Sequence, residues 1–212
     1  MSKIYIFSGL GVDRRVFDNI NFGDLDTEFI DWIDPLKNES LQGYSERISL
    51  KITAKNPILI GLSFGGMVAV EISKILKTER IILIASAKNK FELPSTYRIT
   101  GKLKLNKLIP KSIFKKQNFI TNWIFGIESE SEKQLLKSIL QDTNPDFFSW
   151  AINEIVNWKN EIPPENSLHI HGNKDRIIPI NNVKADFIIE GGGHFMTVNR
   201  SRRIEKIILQ LT

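Results

Sequence analysis

The amino-acid sequence predicts an α/β protein: a three-layer, doubly wound, mostly parallel sheet of about six strands, interrupted once by a helical insertion. Three observations predict it. Short runs such as Ile4-Tyr5-Ile6-Phe7, Ile58-Leu59-Ile60-Gly61-Leu62 and Ile81-Ile82-Leu83-Ile84-Ala85 are apolar at nearly every position, as strands covered on both faces are. Longer amphipathic stretches separate these runs, the pattern that joins parallel strands through crossover helices. Between residues 86 and 164 the alternation stops, no clear strand is visible, and three of the four tryptophans are gathered there.

Taken in order, the strands are expected at residues 4–8, 27–32, 57–62, 80–85, 168–171 and 185–189. Residues 41–54 read as a helix with Leu41, Tyr44, Ile48 and Ile52 on its apolar face, started by Asn38 or Ser40 as N-cap. Residues 65–76 are apolar on most sides, as suits a helix buried against a sheet. Residues 201–211 place Ile204, Ile207, Ile208 and Leu211 on one face. The interval 87–164 reads as a helical cap inserted into a single domain of residues 1–212. Leu135, Leu136, Ile139 and Leu140, then Phe147, Phe148, Trp150, Ala151, Ile152 and Ile155, suggest two helices broken at Asn144-Pro145.

Composition narrows the function. A chain of 212 residues with 42% hydrophobic and 25% charged residues encloses one substantial core. It has no cysteine, which excludes disulfides, thiolate catalysis and cysteine metal sites. No apolar run approaches the roughly 20 residues of a membrane span, and MSKIYIFSGL runs straight into a strand-like segment, so a soluble, cytoplasmic protein is expected. The net charge of +5 would suit a nucleic-acid partner if it formed a module. Instead it is local: residues 88–116 hold eight lysines and Arg98 against the single acid Glu92, a surplus of +8 that leaves the rest at −3. No nucleic-acid partner is expected, and nothing specifies an oligomeric state. The segment reads either as a solvated face or as a patch that draws in an anionic substrate, carrier or lipid surface.

The chemistry is carried by Gly61-Leu62-Ser63-Phe64-Gly65, which follows one apolar strand and opens the helix Gly-Met-Val-Ala-Val-Glu-Ile. A serine on a tight strand-to-helix turn projects its hydroxyl above the sheet, and small residues on either side let the two backbones approach. Ser63 needs a base, and the chain offers His169, His171 and His194. His169 and His171 alternate within one strand and share a face, which suits packed strand residues. His194 follows Gly191-Gly192-Gly193 after the final strand, in a loop that can present it at the carboxyl edge of the sheet. A carboxylate should orient the imidazole. Asp175, just past the preceding strand, gives the chain order Ser, Asp, His. Asp186 and Glu190 are the rivals, the first inside the last strand and the second close to His194 in sequence.

These residues resemble the α/β-hydrolase family over nearly the whole chain: GLSFGG is similar to its nucleophile elbow, HGNKDRIIP to its acid-bearing segment, and GGGHF to its histidine loop. The resemblance implies a compact version that starts at the third strand of larger members. It also implies an oxyanion hole made by the backbone N–H groups of Phe64 and of Leu10, although Ser8 stands where many members carry histidine. Because the nucleophile is serine and not aspartate, haloalkane dehalogenase and epoxide hydrolase chemistries are disfavoured. The expected activity is hydrolysis of a small or medium, apolar carboxylic ester through an acyl-enzyme, with no metal or organic cofactor. The alternatives are a thioesterase acting on acyl-CoA or carrier-bound acyl groups, and a ligand-binding member of the fold without catalysis. Trp123, Phe147 and Trp150 are candidates for the substrate wall, against a reading as cap core.

Overall fold

A computed structural model describes residues 2–108, 110 and 116–212. Its framework is one sheet of six strands, all parallel, in the order β2-β1-β3-β4-β5-β6. These are β1 (Ile4–Phe7), β2 (Thr27–Phe29), β3 (Ile58–Leu62), β4 (Arg80–Ile84), β5 (Ser167–Gly172) and β6 (Phe187–Ile189). All six lie where the sequence places them. β2 is shorter than expected, ending at Phe29, although the Ile30 N–H still donates to the Ile6 carbonyl at 2.9 Å. The chain reverses its direction of growth across the sheet between β1 and β3, and in open α/β sheets the crevice beyond such a switch point is where ligands bind.

Period-two alternation divides the sheet residues into two cores. Tyr5, Phe7, Leu59, Ile81 and Leu83 face α1 (Leu41–Ser49) and α2 (Phe64–Ile72). Ile4, Ile6, Ile58, Ile60, Ile82 and Ile84 face the opposite layer, which includes α7 (Met196–Asn199) and α8 (Ser201–Leu211). In α8 Ile204 and Ile208 are fully buried, with Ile207 and Leu211 packed beside them. The cap of α1 is Ser40, whose Oγ accepts from the Gly43 N–H at 3.2 Å. That helix stops earlier than residue 54 because Lys51 and Ile52 close it with short-range bonds to Ile48 and Ser49, after which the N–H groups of Thr53 and Ala54 donate to the Tyr5 hydroxyl. A buried acceptor in the sheet thus competes for the chain and wins.

Between β4 and β5 lie four α-helices among the described residues: α3 (Ser95–Lys102), α4 (Phe119–Phe125), α5 (Glu130–Asp142) and α6 (Pro145–Val156). The sequence anticipates α5 and α6 and the break between them. Asn144 caps α6, its Oδ1 accepting from Asp146 N–H at 2.9 Å, and Pro145 occupies the first turn, where its missing donor costs nothing. It does not anticipate α3 and α4, which are short and carry little periodic signal. Lys111 and Lys115 of the basic segment lie outside the described residues. No helix among the described residues is long and apolar enough to cross a membrane.

Candidate active site

Ser63 ends β3 and opens α2 with φ 51° and ψ −118°, a conformation that side chains with a β-carbon hold only under constraint. The constraint comes from close backbone approach. A β-carbon on Gly61 would lie 2.4 Å from the Gly66 Cα, and one on Gly65 would lie 2.3 Å from the Ser8 carbonyl oxygen. The Ser63 N–H donates to the Ile84 carbonyl at 2.9 Å, and the Ser63 carbonyl accepts from the Ser86 hydroxyl at 2.6 Å. The turn is therefore fixed from both ends by the strand beside it. Ser86 is a bracing residue that no motif in the sequence singles out.

His194 stands in the loop after β6, its Nε2 2.9 Å from the Ser63 Oγ and its Nδ1 2.8 Å from the Asp175 Oδ2. Asp175 is buried and its other oxygen accepts from the N–H groups of Ile177 and Ile178, at 2.8 and 3.0 Å. Burial pushes the Asp175 carboxyl upward, but the adjoining His194, His171 and the Ile178 N–H outweigh it and hold it below the ordinary carboxylate value. Because this carboxylate only accepts, the His194 proton is fixed on Nδ1 and the Nε2 lone pair is left facing the serine.

The rival carboxylates are occupied elsewhere. Asp186 accepts from the His169 N–H at 2.8 Å and from Lys88 at 3.1 Å, and Glu190 accepts from the Asn173 side chain at 2.6 Å. The two glycine-bearing loops meet so tightly that a β-carbon on Gly172 would lie 2.2 Å from the Gly192 carbonyl oxygen. That approach, together with the Lys174 N–H bonded to Gly192 at 2.8 Å, brings the acid loop and the histidine loop to one place.

Leu10 lies in the loop after β1 and Phe64 opens α2 after β3, beyond the ends of the two strands that flank the switch point. Among the described residues neither backbone N–H has a hydrogen-bond acceptor. Gly9 brings the Leu10 loop against the serine: a β-carbon there would lie 3.4 Å from the Ser63 Cβ. The start of α2 adds a partial positive charge to the same spot.

Ser63 and His194 open into a cavity of about 360 Å³ whose lining is mainly apolar. Its wall includes Leu10, Val16, Phe125, Phe148, Ile152 and Ile155. The expectation that Trp123, Phe147 and Trp150 form this wall is corrected. Phe147 is buried among Trp32, Tyr44 and Phe64, with ring centroids 5.6, 6.1 and 6.1 Å away. Trp150 turns toward Tyr44 at 4.5 Å and donates its Nε1–H to the Glu39 carbonyl at 2.8 Å. Trp123 lies on the surface beneath the Arg176 guanidinium, 4.5 Å from the ring centroid. Residues 148, 152, 155 and 156 are the cavity face of α6, and 147, 150 and 151 are its core face. The spacing i, i+4, i+7, i+8 was the available signal, but an aromatic pair at 147 and 148 does not reveal which face points inward.

The basic segment is partly spoken for. Lys88 pairs with Asp186, Lys90 pairs with Glu161, and Arg98 donates to the carbonyls of Lys90 and Leu93. Lys102, Lys104, Lys107 and Lys116 are exposed. Among the described residues no group of three or more His, Asp and Glu side chains is placed to hold a metal ion.

No family model matches the chain, and no curated protein sequence matches it. Solved structures do. MenH from S. aureus superposes with a TM-score of 0.70 at 17% identity, covering 99% of this chain and 92% of that one. A thermophilic esterase from Thermogutta terrifontis gives 0.67 at 15% identity, over 100% and 89% of the two chains. An α/β-hydrolase fold protein from Burkholderia ambifaria gives 0.69 at 13% identity, over 99% and 90%. Likeness at such low identity speaks for architecture alone, and in architecture this chain has the α/β-hydrolase fold.

Proposed function

We propose that this protein is a serine hydrolase that cleaves an apolar carboxylic ester through an acyl-enzyme. The observation that carries the reading is the continuous hydrogen-bonded chain from Asp175 through His194 to Ser63, opening into an apolar cavity of about 360 Å³. In this reading the Ser63 hydroxyl attacks the ester carbonyl while His194 Nε2 takes its proton. The oxyanion is received by the N–H groups of Leu10 and Phe64, already positioned and short of acceptors, so that little reorganisation is needed as charge develops. His194 returns the proton to the leaving alcohol, and water activated by the same base then releases the acid. Residues 87–164 act as a cap whose α6 sets the length and width of the acyl site. The Thermogutta terrifontis esterase among the structural neighbours supports a hydrolase. An ester is favoured over an anionic thioester because no lysine or arginine is among the described residues that line the cavity, and Lys88, Lys90 and Arg98 of the basic segment are committed to internal partners.

Covalent labelling with a fluorophosphonate probe tests the serine centre without a chosen substrate. Wild type should label, and Ser63→Ala and His194→Ala should not. A panel of p-nitrophenyl esters and acyl-CoA thioesters then separates the two substrate classes, since thioester preference with a salt-sensitive rate would return the basic segment to the site. A folded wild type that does not label, yet retains an apolar ligand, would mark a binding protein.

A further inference from the structure

His169 and His171 are fully buried on the same side of β5. His171 Nε2 lies 2.8 Å from the Ile178 carbonyl oxygen and 3.6 Å from the Asp175 Oδ2, and its Nδ1 lies 3.0 Å from the His169 Nε2. We propose that these two histidines form an inner positioning pair, in which His169 fixes the tautomer of His171 and His171 in turn holds the turn that carries Asp175. The proposal rests on Asp175 being the acid of the site just described.

The hydrogen-bond chemistry sets the direction of the chain. A carbonyl only accepts, so the Ile178 oxygen requires the proton of His171 on Nε2. A neutral His171 then has a bare Nδ1, which must accept, and the His169 Nε2–H is the donor facing it. Ile178 links the pair to the acid: its N–H donates to the Asp175 Oδ1 at 3.0 Å while its carbonyl is held by His171. One residue is thus clamped between an imidazole and the carboxylate that its N–H holds. The arrangement repeats, one layer deeper, what Asp175 does for His194, where the partner on one ring nitrogen decides the state of the other.

Both imidazoles are neutral in this arrangement. Burial pushes His169 well below its ordinary value, aided by neighbouring His171 and Lys88 against the pull of Asp175 and of the Ser86 carbonyl. Burial likewise lowers His171, with Asp175 and the Ile178 carbonyl opposing and His194 adding to it. Asp186 stands beside the pair, tied to Lys88 and to the His169 backbone N–H. A neutral pair matters for the site: an imidazolium at His171 would draw the Asp175 Oδ2 away from His194.

The test uses long-range ¹H–¹⁵N spectra of the histidine rings in the wild-type chain, with His171→Gln, His171→Leu and His169→Leu compared by the His194 Nδ1–H resonance and by the pH profile of probe labelling. Wild type should show His171 protonated on Nε2 alone and His169 protonated on Nε2. The amide of a glutamine side chain can still donate to the Ile178 carbonyl, so His171→Gln should keep the His194 Nδ1–H resonance and label within about threefold of wild type, as an outer partner replaced in kind should. His171→Leu should displace that resonance, shift the labelling profile and slow labelling by about tenfold, the lower end of what outer partners of a site contribute. His169→Leu should move the His171 tautomer populations toward Nδ1–H. A doubly protonated or Nδ1-protonated His171 in wild type overturns the proposal, as does a His171→Leu chain whose His194 resonance and profile match wild type. If wild type fails to label, the hydrolase reading falls, while the ring spectra and the His194 resonance still decide the positioning role.

Discussion

Ser63 is held at φ 51° because neither of its neighbours in space leaves room for another path: β4 and the residues just after it grip its N–H and its carbonyl, and the glycines at 61 and 65 let strand and helix touch. A β-carbon at position 65 meets backbone, which cannot swing aside, so Gly65→Ala should destabilise the chain and abolish probe labelling; thermal melting and labelling of the soluble fraction check it. Asp175 acts at the same scale. Asp175→Asn leaves shape almost unchanged but presents an amide that favours the wrong His194 tautomer, and labelling should fall by about 10³ to 10⁴-fold with the melting temperature little changed. A rate within about tenfold of wild type would remove Asp175 from the proposed mechanism. Ser63 and His194 were legible in the sequence, since each sits beside glycines at a strand end, and Asp175 was legible as the leading one of three candidate carboxylates. Leu10 was named only through resemblance, because a backbone donor leaves no mark in residue type.

At the scale of elements, α6 divides its two faces between stability and selectivity. Phe147 is in the core with Trp32, Tyr44 and Phe64, so Phe147→Ala should cost about 3–5 kcal/mol in urea unfolding while each folded molecule labels at close to the wild-type rate. Phe148 lines the cavity and lies against the loop that carries Leu10, where a β-carbon on Gly11 would meet its ring at 2.5 Å. Phe148→Ala should shift the preferred ester toward longer acyl chains, read as the ratio of kcat/KM for octanoate and butyrate esters, with a smaller loss of stability than Phe147→Ala. Equal chain-length profiles for wild type and Phe148→Ala would move the acyl site elsewhere. The sequence places these aromatics on a helix but does not assign them to a face, because adjacent residues on a helix differ by about 100° and both faces of α6 are apolar. The helix itself was readable from its Asn-Pro start and its period, whereas the seven residues of α4 carry too few repeats to show one.

For the whole molecule, burial of two neutral imidazoles makes stability depend on pH. Below about pH 6.5 the unfolded chain takes up protons on His169 and His171 that the folded chain resists. Stability therefore falls as pH drops through this range, by on the order of 1.4 kcal/mol per pH unit for each histidine that stays neutral when folded. Asp175, held below its ordinary value, contributes stability that is present above the ordinary carboxylate range, about pH 4, and is lost as pH falls from there to its depressed folded value. The two windows are separate, so urea unfolding at about pH 8, 6 and 5 reads the histidine contribution, opposed at its acid end by Glu92, whose burial raises its carboxyl above the ordinary value. A His169→Gln, His171→Gln double variant should show a flatter slope between about pH 6.5 and 5, whatever its stability at about pH 8. An unchanged slope would place the acid sensitivity in other groups.

By itself the sequence determined the six parallel strands, a sheet covered on both faces and the chain order of serine, acid and histidine. Those depend on local pattern: apolar runs with period two, glycines where backbones must touch, and polar residues at strand ends. Only the tertiary structure decided which carboxylate faces His194, which face of α6 lines the cavity, that Ser86 braces the elbow, and that His169 and His171 stand behind Asp175. Each of these is a contact between segments far apart in the chain or a choice between two equally apolar faces, and such choices are made by packing, not by local propensity.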